Sequence, residues 1–331
     1  MSKILLSHGD GGGLTRELLE TVFYPHLQNS YLAQQSDAAC LPQEEGRLAV
    51  TTDSFVIKPL FFPGGDIGKL AVCGTVNDLA VSGATPRFLT AGFIIEEGFD
   101  IESLKKIVES LALTSQNAGV QVVAGDTKVV EKGHGDGVFI NTTGVGIIHE
   151  TVKLGYGLIQ PGDKIIINGN IGDHGSAVLT QREGIRFTVE SDCAPLGDII
   201  GLMLNHFSSI KLMRDPTRGG VATTLKEIAL MSHVDFYLDE TKLPISEEVK
   251  SLCDIFGLDP LYLANEGKFI AIVGERDCQE ILHLLHRHPL GKNACCIGDV
   301  QQGRGNVFVK TAIGGTKRID FYPGGLLPRI C

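Results

Sequence analysis

No apolar run in this chain of 331 residues approaches the ~20 residues that a membrane span needs. The longest, such as Lys164-Ile-Ile-Ile167 and Phe93-Ile-Ile95, are strand-sized. The opening Met1-Ser-Lys-Ile-Leu-Leu-Ser-His8 is too short in apolar residues for a secretory segment, so the cytoplasm is the expected location. Lys and Arg form no run, and 29 basic residues stand against 39 acidic ones for a formal charge of −10. Nucleic acid therefore finds no electrostatic footprint, and neither it nor a membrane is an expected partner. The eight Cys never form a C-x-x-C pair, and in a cytosolic chain most of them are expected to be reduced core residues. Both standard phosphate loops are missing as well. G-x-G-x-x-G does not occur, and around Gly68-Lys69 a P-loop would need Gly where Pro63 stands and Ser or Thr where Leu70 stands.

What is present is a globular composition, with 43% hydrophobic and 21% charged residues, and a length that favours two domains. Residues 1–46 read as an irregular arm in which the Gly9 and Gly11-Gly-Gly13 cluster precedes a helix from Thr15. Strand and helix then alternate: strand 48–57, helix 66–81, strand 88–95, helix 101–116, strands 120–124 and 138–148. The helix 66–81 is rich in small residues (Gly68, Ala71, Gly74, Ala80), which permits close approach to a sheet or a symmetry mate. A Gly- and Pro-rich stretch from Leu154 to Asp163 marks a boundary near 155. Beyond it come strand 164–168, helices after Gly175 and after Gly220, strand 234–238, helix 246–256, strand 268–273, helix 275–286 and strand 295–300. The expected organisation is an arm (1–46), a first domain (47–155), a second domain (156–320) and a mobile tail (321–331) whose two Pro and two Gly oppose regular packing.

Four Asp residues sit at strand ends or helix starts: Asp37, Asp53, Asp78 and Asp126. Hard carboxylate oxygens suit Mg²⁺ shared with a nucleotide's phosphates, whereas a single Asp in such a place commonly caps a helix or turn. Lys128 follows Asp126 by two, so on an extended segment both side chains face the same way, as a metal ligand beside a phosphate-binding ammonium or as a plain surface ion pair. Asp215-Pro-Thr-Arg-Gly-Gly220 opens a helix with two glycines, either an anion-binding start or a capping loop. The Cys278, His283, His286 and His288 group fits an amphipathic helix face better than a metal site. Cys331, the last residue shown, reads as a thiol on a tail, a nucleophile or a carrier.

These residues together resemble a known family. The stretches His8-Gly-Asp-Gly-Gly12, Thr51-Thr-Asp-Ser-Phe-Val56, Asn77-Asp-Leu-Ala-Val-Ser-Gly-Ala84, Gly125-Asp-Thr-Lys-Val-Val130, Gly172-Asp-His-Gly175, Arg218-Gly-Gly220, Asn265-Glu-Gly-Lys268 and Pro328-Arg-Ile-Cys331 are similar to those of the HypE family of [NiFe]-hydrogenase maturation proteins. That family lies within the wider group of aminoimidazole ribonucleotide and selenophosphate synthetases. Ser36-Asp37 departs from the Asp pair common in that group. The resemblance implies a two-domain PurM-like α/β (α+β) fold, a homodimer joined through its N-terminal sheets in a barrel-like interface, and ATP with Mg²⁺ between the domains. It implies an ATP-dependent carbamoyl dehydratase: a HypF-type carbamoyltransferase loads Cys331, the S-carbamoyl group is dehydrated to a thiocyanate, and the cyanide ligand passes to a HypC and HypD scaffold. Asp37, Asp53, Asp78, Asp126 and Asp215 are then the candidate metal ligands. Thr127, Lys128, Asn141, Gly219 and Gly220 join the first four of these as candidate nucleotide contacts. Cys331, Glu266 and Lys128 are the candidate catalytic residues, with Glu266 as the base that strips protons from the amide nitrogen. A synthetase with a soluble product would share the aspartates but have no use for Cys331, and a non-enzymatic binding module would leave the aspartates unexplained.

Overall fold

The structure is a computed structural model that describes residues 3–322, 327 and 329–331. The arm holds a 3-10 turn Leu6–Gly9, helix α1 (Gly13–Leu18), a π-helical turn Leu19–Phe23, α2 (Tyr24–Leu27) and a second 3-10 turn Leu32–Gln34. The glycine cluster does precede a helix, but the helix starts at Gly13, with extended Gly12 as its N-cap.

Next come β1 (Arg47–Phe55), the two-residue β2 (Phe61–Phe62) and β3 (Gly65–Asp66), α3 (Ile67–Val81), β4 (Ala84–Glu96), α4 (Ile101–Asn117), β5 (Gln121–Val130) and β6 (Val138–Ile148). β1, β6, β4 and β5 form one sheet in that order, with β4 and β5 parallel and the other pairs antiparallel. α3 starts where the Asp66 carboxylate accepts from Gly68 N (2.7 Å) and Lys69 N (3.2 Å). It is buried along nearly its whole length, and Leu70, Val72, Val76 and Leu79 each contribute roughly 1.5–3 kcal/mol of apolar burial. Its small residues serve this enclosure. A Cβ on Gly68 would collide with the Ile107 carbonyl of α4, and one on Gly74 would lie 2.9 Å from the Phe55 ring.

The second half contains β7 (Lys164–Ile167), α5 (Asp173–Arg182), α6 (Gly197–His206), β8 (Ile210–Arg214), α7 (Gly220–Ser232), β9 (Val234–Asp239), α8 (Glu247–Phe256), β10 (Ile270–Val273), α9 (Cys278–His286), β11 (Cys295–Gln302), β12 (Val307–Lys310) and β13 (Thr316–Ile319). Its seven-stranded sheet runs β13-β12-β9-β11-β7-β10-β8. The architecture is the expected two-part α/β one, with α6, β8, β12 and β13 added. β8, β12 and β13 span only four or five residues, too few for a period to stand out, and β13 is an edge strand with only Ile319 buried; α6, by contrast, buries Ile199, Ile200 and Met203, so the sequence does carry its apolar pattern.

The halves share apolar contacts. Ala80 and Val81 at the end of α3 pack with Leu196, Ile199 and Phe269, while Cys193 and Ala264 join the core of the first half. Ile330, in the segment expected to be a mobile tail, joins it too and is only 5% exposed. Pro323 to Leu326 and Pro328, on which much of that expectation rested, lie outside the described residues. No described helix is long and apolar enough to cross a membrane.

Candidate functional site

A cleft of about 690 Å³ opens between the halves, with Asp53, Asp78, Arg214, Asp215, Arg218 and Glu227 among its lining residues. Asp53 comes from β1, Asp78 from the last turn of α3 and Asp215 from the residue after β8. Thr51 Oγ1, two residues before Asp53 on the same strand face, donates to Asp78 Oδ2 at 2.8 Å. Burial, followed by repulsion from Asp78, raises Asp53 to about 6 and Asp215 to about 7, and burial also raises Asp78. Arg214 is engaged by Glu227 at 3.1 Å, whereas the exposed Arg218 makes no ion pair among the described residues. Carboxylates crowded in this way fit a hard cation whose remaining ligands are phosphate oxygens and water. Among the described residues, no three His, Cys, Asp or Glu side chains converge closely enough to hold a metal by themselves.

Glu266 is placed by its backbone. Its carbonyl accepts from Asn77 Nδ2 at 3.1 Å, and its N–H donates to Asp192 Oδ1 at 3.1 Å. Asp192 Oδ2 takes Gly267 N and Lys268 Nζ, both at 3.0 Å. Position 267 needs glycine, since a Cβ there would run into the Asp192 carbonyl. Glu266 Oε1 is buried without a hydrogen-bond partner. Burial first, then the Cys193 thiol and the nearby aspartates, push its carboxyl well above the usual range.

Cys331 is brought to the same place. Val56 N donates to its main-chain oxygen and Lys58 N to that of Arg329, both at 3.2 Å, and Arg329 Nε returns a bond to Val56 O at 3.0 Å. Two main-chain bonds and one side-chain bond thus tie 329–331 to residues 56–58, with Arg329 in the left-handed region (φ +54°). Arg182 Nη2 bonds the Arg329 carbonyl at 2.9 Å, and the Arg329 guanidinium pairs with Asp136. Burial, then the neighbouring Glu266, push the Cys331 thiol up to about 12, only partly offset by Arg218. A thiol so held is not ionised near neutrality, and so is no nucleophile in this position.

Other expected site residues fall elsewhere within the single chain. Asp37 is exposed in the arm and does not line the cleft. Asp126, Thr127 and Lys128 line a separate cavity of about 260 Å³ with Gly9, Gly11 and Phe93. Lys128 Nζ pairs with Asp126 Oδ1 at 2.5 Å, and the two side chains are 61% and 65% exposed, a surface pair worth ~0–1 kcal/mol. Across the sheet Asp53 aligns with Thr142, Ala91 and Gly125, so β5 lies three strands, about 14 Å, from β1. Asn141 faces the open side of the sheet and donates to Asp53 O at 2.8 Å. Gly219 and Gly220 take φ of +77° and +62° at the start of α7, but Gly220 N already donates to Thr217 O at 2.9 Å. The N–H groups left for an anion are those of the residues just after it.

Asn77 and Asp192, which hold Glu266, had not been singled out. Asn77 stands inside the quoted Asn77–Ala84 stretch, whereas Asp192 carries no local signal, lying in an irregular loop far from Glu266 in sequence.

Residues 35–148 match the family model for the N-terminal domain of AIR synthase related proteins, and residues 160–310 match the model for its C-terminal domain. A relative from Cupriavidus necator named carbamoyl dehydratase HypE is 46% identical, over 99% of this chain and 95% of its own length. The chain belongs to the HypE family. A solved HypE structure in complex with ATP superposes with a TM-score of 0.95 at 44% identity, covering 99% of both chains. A chain of a HypE–HypF complex superposes with a TM-score of 0.81 at 48% identity, covering 94% of this chain and all of that one. The HypE family is thus the one its motifs indicated, although those motifs occupy different places here: Asn77 bonds Glu266 while its neighbour Asp78 lines the cleft, and within the single chain Asp126-Thr-Lys128 does not reach it.

Proposed function

We infer that this chain is the ATP-dependent carbamoyl dehydratase of [NiFe]-hydrogenase maturation, converting an S-carbamoyl group on Cys331 to a thiocyanate that supplies the cyanide ligand of the active-site iron. The observation that carries this reading is the docking of Cys331 within electrostatic reach of Glu266, Asp53 and Asp215, the two aspartates lining the cleft with Asp78. An amide oxygen is a poor leaving group, so it first takes the γ-phosphoryl group of ATP, and ADP departs. The nitrogen then loses its protons as the carbon–oxygen bond breaks, giving the nitrile and inorganic phosphate. Glu266, buried and with a free oxygen, is the group positioned to receive a proton. Asp53, Asp78 and Asp215 would hold Mg²⁺, which neutralises phosphate charge during the transfer. Since the docked thiol is un-ionised, loading by a HypF-type carbamoyltransferase belongs to an undocked state of the 329–331 segment, and delivery to a HypC and HypD scaffold follows, in the cytoplasm.

The open face of the first sheet favours a homodimer. Leu48 (71% exposed), Val50 (67%) and Ile94 (45%) share it with Asp126 and Lys128, so pairing two such faces would draw that acidic and basic pair from the surface into the interface. The joint between the domains is taken near residue 155. Mass spectrometry of Cys331 after incubation with the transferase, carbamoyl phosphate and ATP tests the reading: loss of one water from the carbamoylated residue, dependent on ATP, is expected. A carbamoyl group that persists with ATP consumed would sink it.

A further inference from the structure

The Gly172-Asp-His-Gly175 stretch has no part in the chemistry above, yet His174 is wholly buried, and a buried imidazole needs partners for both nitrogens. It has them. Nε2 lies 2.8 Å from the Ile330 carbonyl and Nδ1 lies 2.8 Å from Ser191 Oγ, while the ring meets Phe62 edge to face at 5.4 Å. A carbonyl only accepts, so Nε2 carries the hydrogen, and in the neutral ring Nδ1 accepts from the Ser191 hydroxyl. Burial holds the imidazole below its ordinary range, in keeping with that neutral form.

We propose that His174 is a positioning residue that seats the closing segment by holding the Ile330 carbonyl, and so sets the Cys331 thiol against Glu266. The loop that orients His174 also orients Glu266: Ser191 partners the imidazole, and Asp192 accepts from the N–H groups of Glu266 and Gly267. Three consecutive residues, Ser191 to Cys193, thereby tie the seat of the carried group to the group that acts on it. Cys193 completes the link, since its N–H donates to Ser191 Oγ at 3.1 Å and its side chain packs in the same core as Ile330. The proposal rests on Cys331 being the carrier, and it adds which residue decides when the carrier is home.

The test is the rate at which iodoacetamide alkylates Cys331 in the full chain, followed by mass spectrometry, with the exposed Cys40 as internal control. His174→Phe keeps a ring but loses the donor and should speed alkylation of Cys331 roughly 5- to 100-fold, the range for losing a buried hydrogen bond. His174→Gln, which can still donate, should restore most of the protection. In the dehydration assay His174→Phe should lower kcat while leaving KM for ATP within about twofold, as expected of a residue that does not touch the nucleotide. Should His174→Phe not fold, Ser191→Ala takes its place, with the same direction and a smaller change expected. A folded His174→Phe, or failing that Ser191→Ala, whose Cys331 is alkylated at the native rate overturns the proposal even if kcat falls. Alkylation requires neither ATP nor a carbamoyl group, so its result is independent of whether Cys331 proves to be the carrier.

Discussion

At the scale of single residues, Glu266 gathers two demands that pull against each other. A base must lose its proton, yet burial and surrounding acids hold this carboxyl well above its usual range. The neighbours named with it, Asp215 and Asp53, are the cleft carboxylates that a cation would neutralise, so loading the cleft removes repulsion that keeps Glu266 protonated. Glu266→Gln should bind nucleotide normally and accumulate the carbamoylated form, read by mass spectrometry; thiocyanate made at the native rate would assign the base elsewhere. The same change has a signature in stability. A carboxyl raised in the folded state contributes stability that is fully present below its unfolded value near 4.5 and is lost as pH rises through its folded value. The thermal stability of Glu266→Gln should therefore decline less than that of the native chain as the pH rises above the unfolded value near 4.5.

At the scale of elements, α3 links the two halves. One of its ends is capped by Asp66, and the other presents Asn77 to the Glu266 carbonyl and Asp78 to the cleft. Such a helix transmits any displacement to the site because it is packed on every side and has no free face along which to shift. Gly68→Ala places a methyl group against the Ile107 carbonyl of α4, which cannot move without breaking its own helix. Overpacking of this kind costs about 1–3 kcal/mol, so the variant should unfold at lower denaturant concentration than the native protein in a urea titration. An unchanged midpoint would show that α3 and α4 can separate freely.

At the scale of the whole molecule, the outward face of the first sheet is the feature a single chain leaves unfinished. The homodimer proposed above would cover Leu48 and Val50, large apolar side chains that this face leaves exposed. Leu48→Asp adds a charge to that face at a residue that does not line the cleft, leaving the buried side of the strand untouched. It is expected to shift the sedimentation of the protein towards the monomer and to lower ATP turnover with it. Sedimentation identical to the native chain would mean that this face is not where two copies meet.

Much of this was legible in the sequence, because strand and helix periodicity and Gly, Pro and Asp punctuation are local. The alternation from Arg47 to Ile148, the small-residue helix and the Thr51–Val56 and Asn77–Ala84 stretches all follow from neighbours within a few residues of one another. Family membership was legible for the same reason, since it rests on short motifs. What only the tertiary structure decided is which motifs meet. Asp126 and Lys128 look like partners of Asp53 in sequence, yet strand order puts two strands between them, and strand order is set by long-range pairing that no local pattern encodes. The 329–331 segment reads as a tail because Pro and Gly surround it, but its hydrogen bonds come from residues 56–58, 174 and 182, far away along the chain. Asp192 was invisible for a related reason: a buried carboxylate in an irregular loop gains its meaning only from the Glu266, Gly267 and Lys268 groups that folding brings to it.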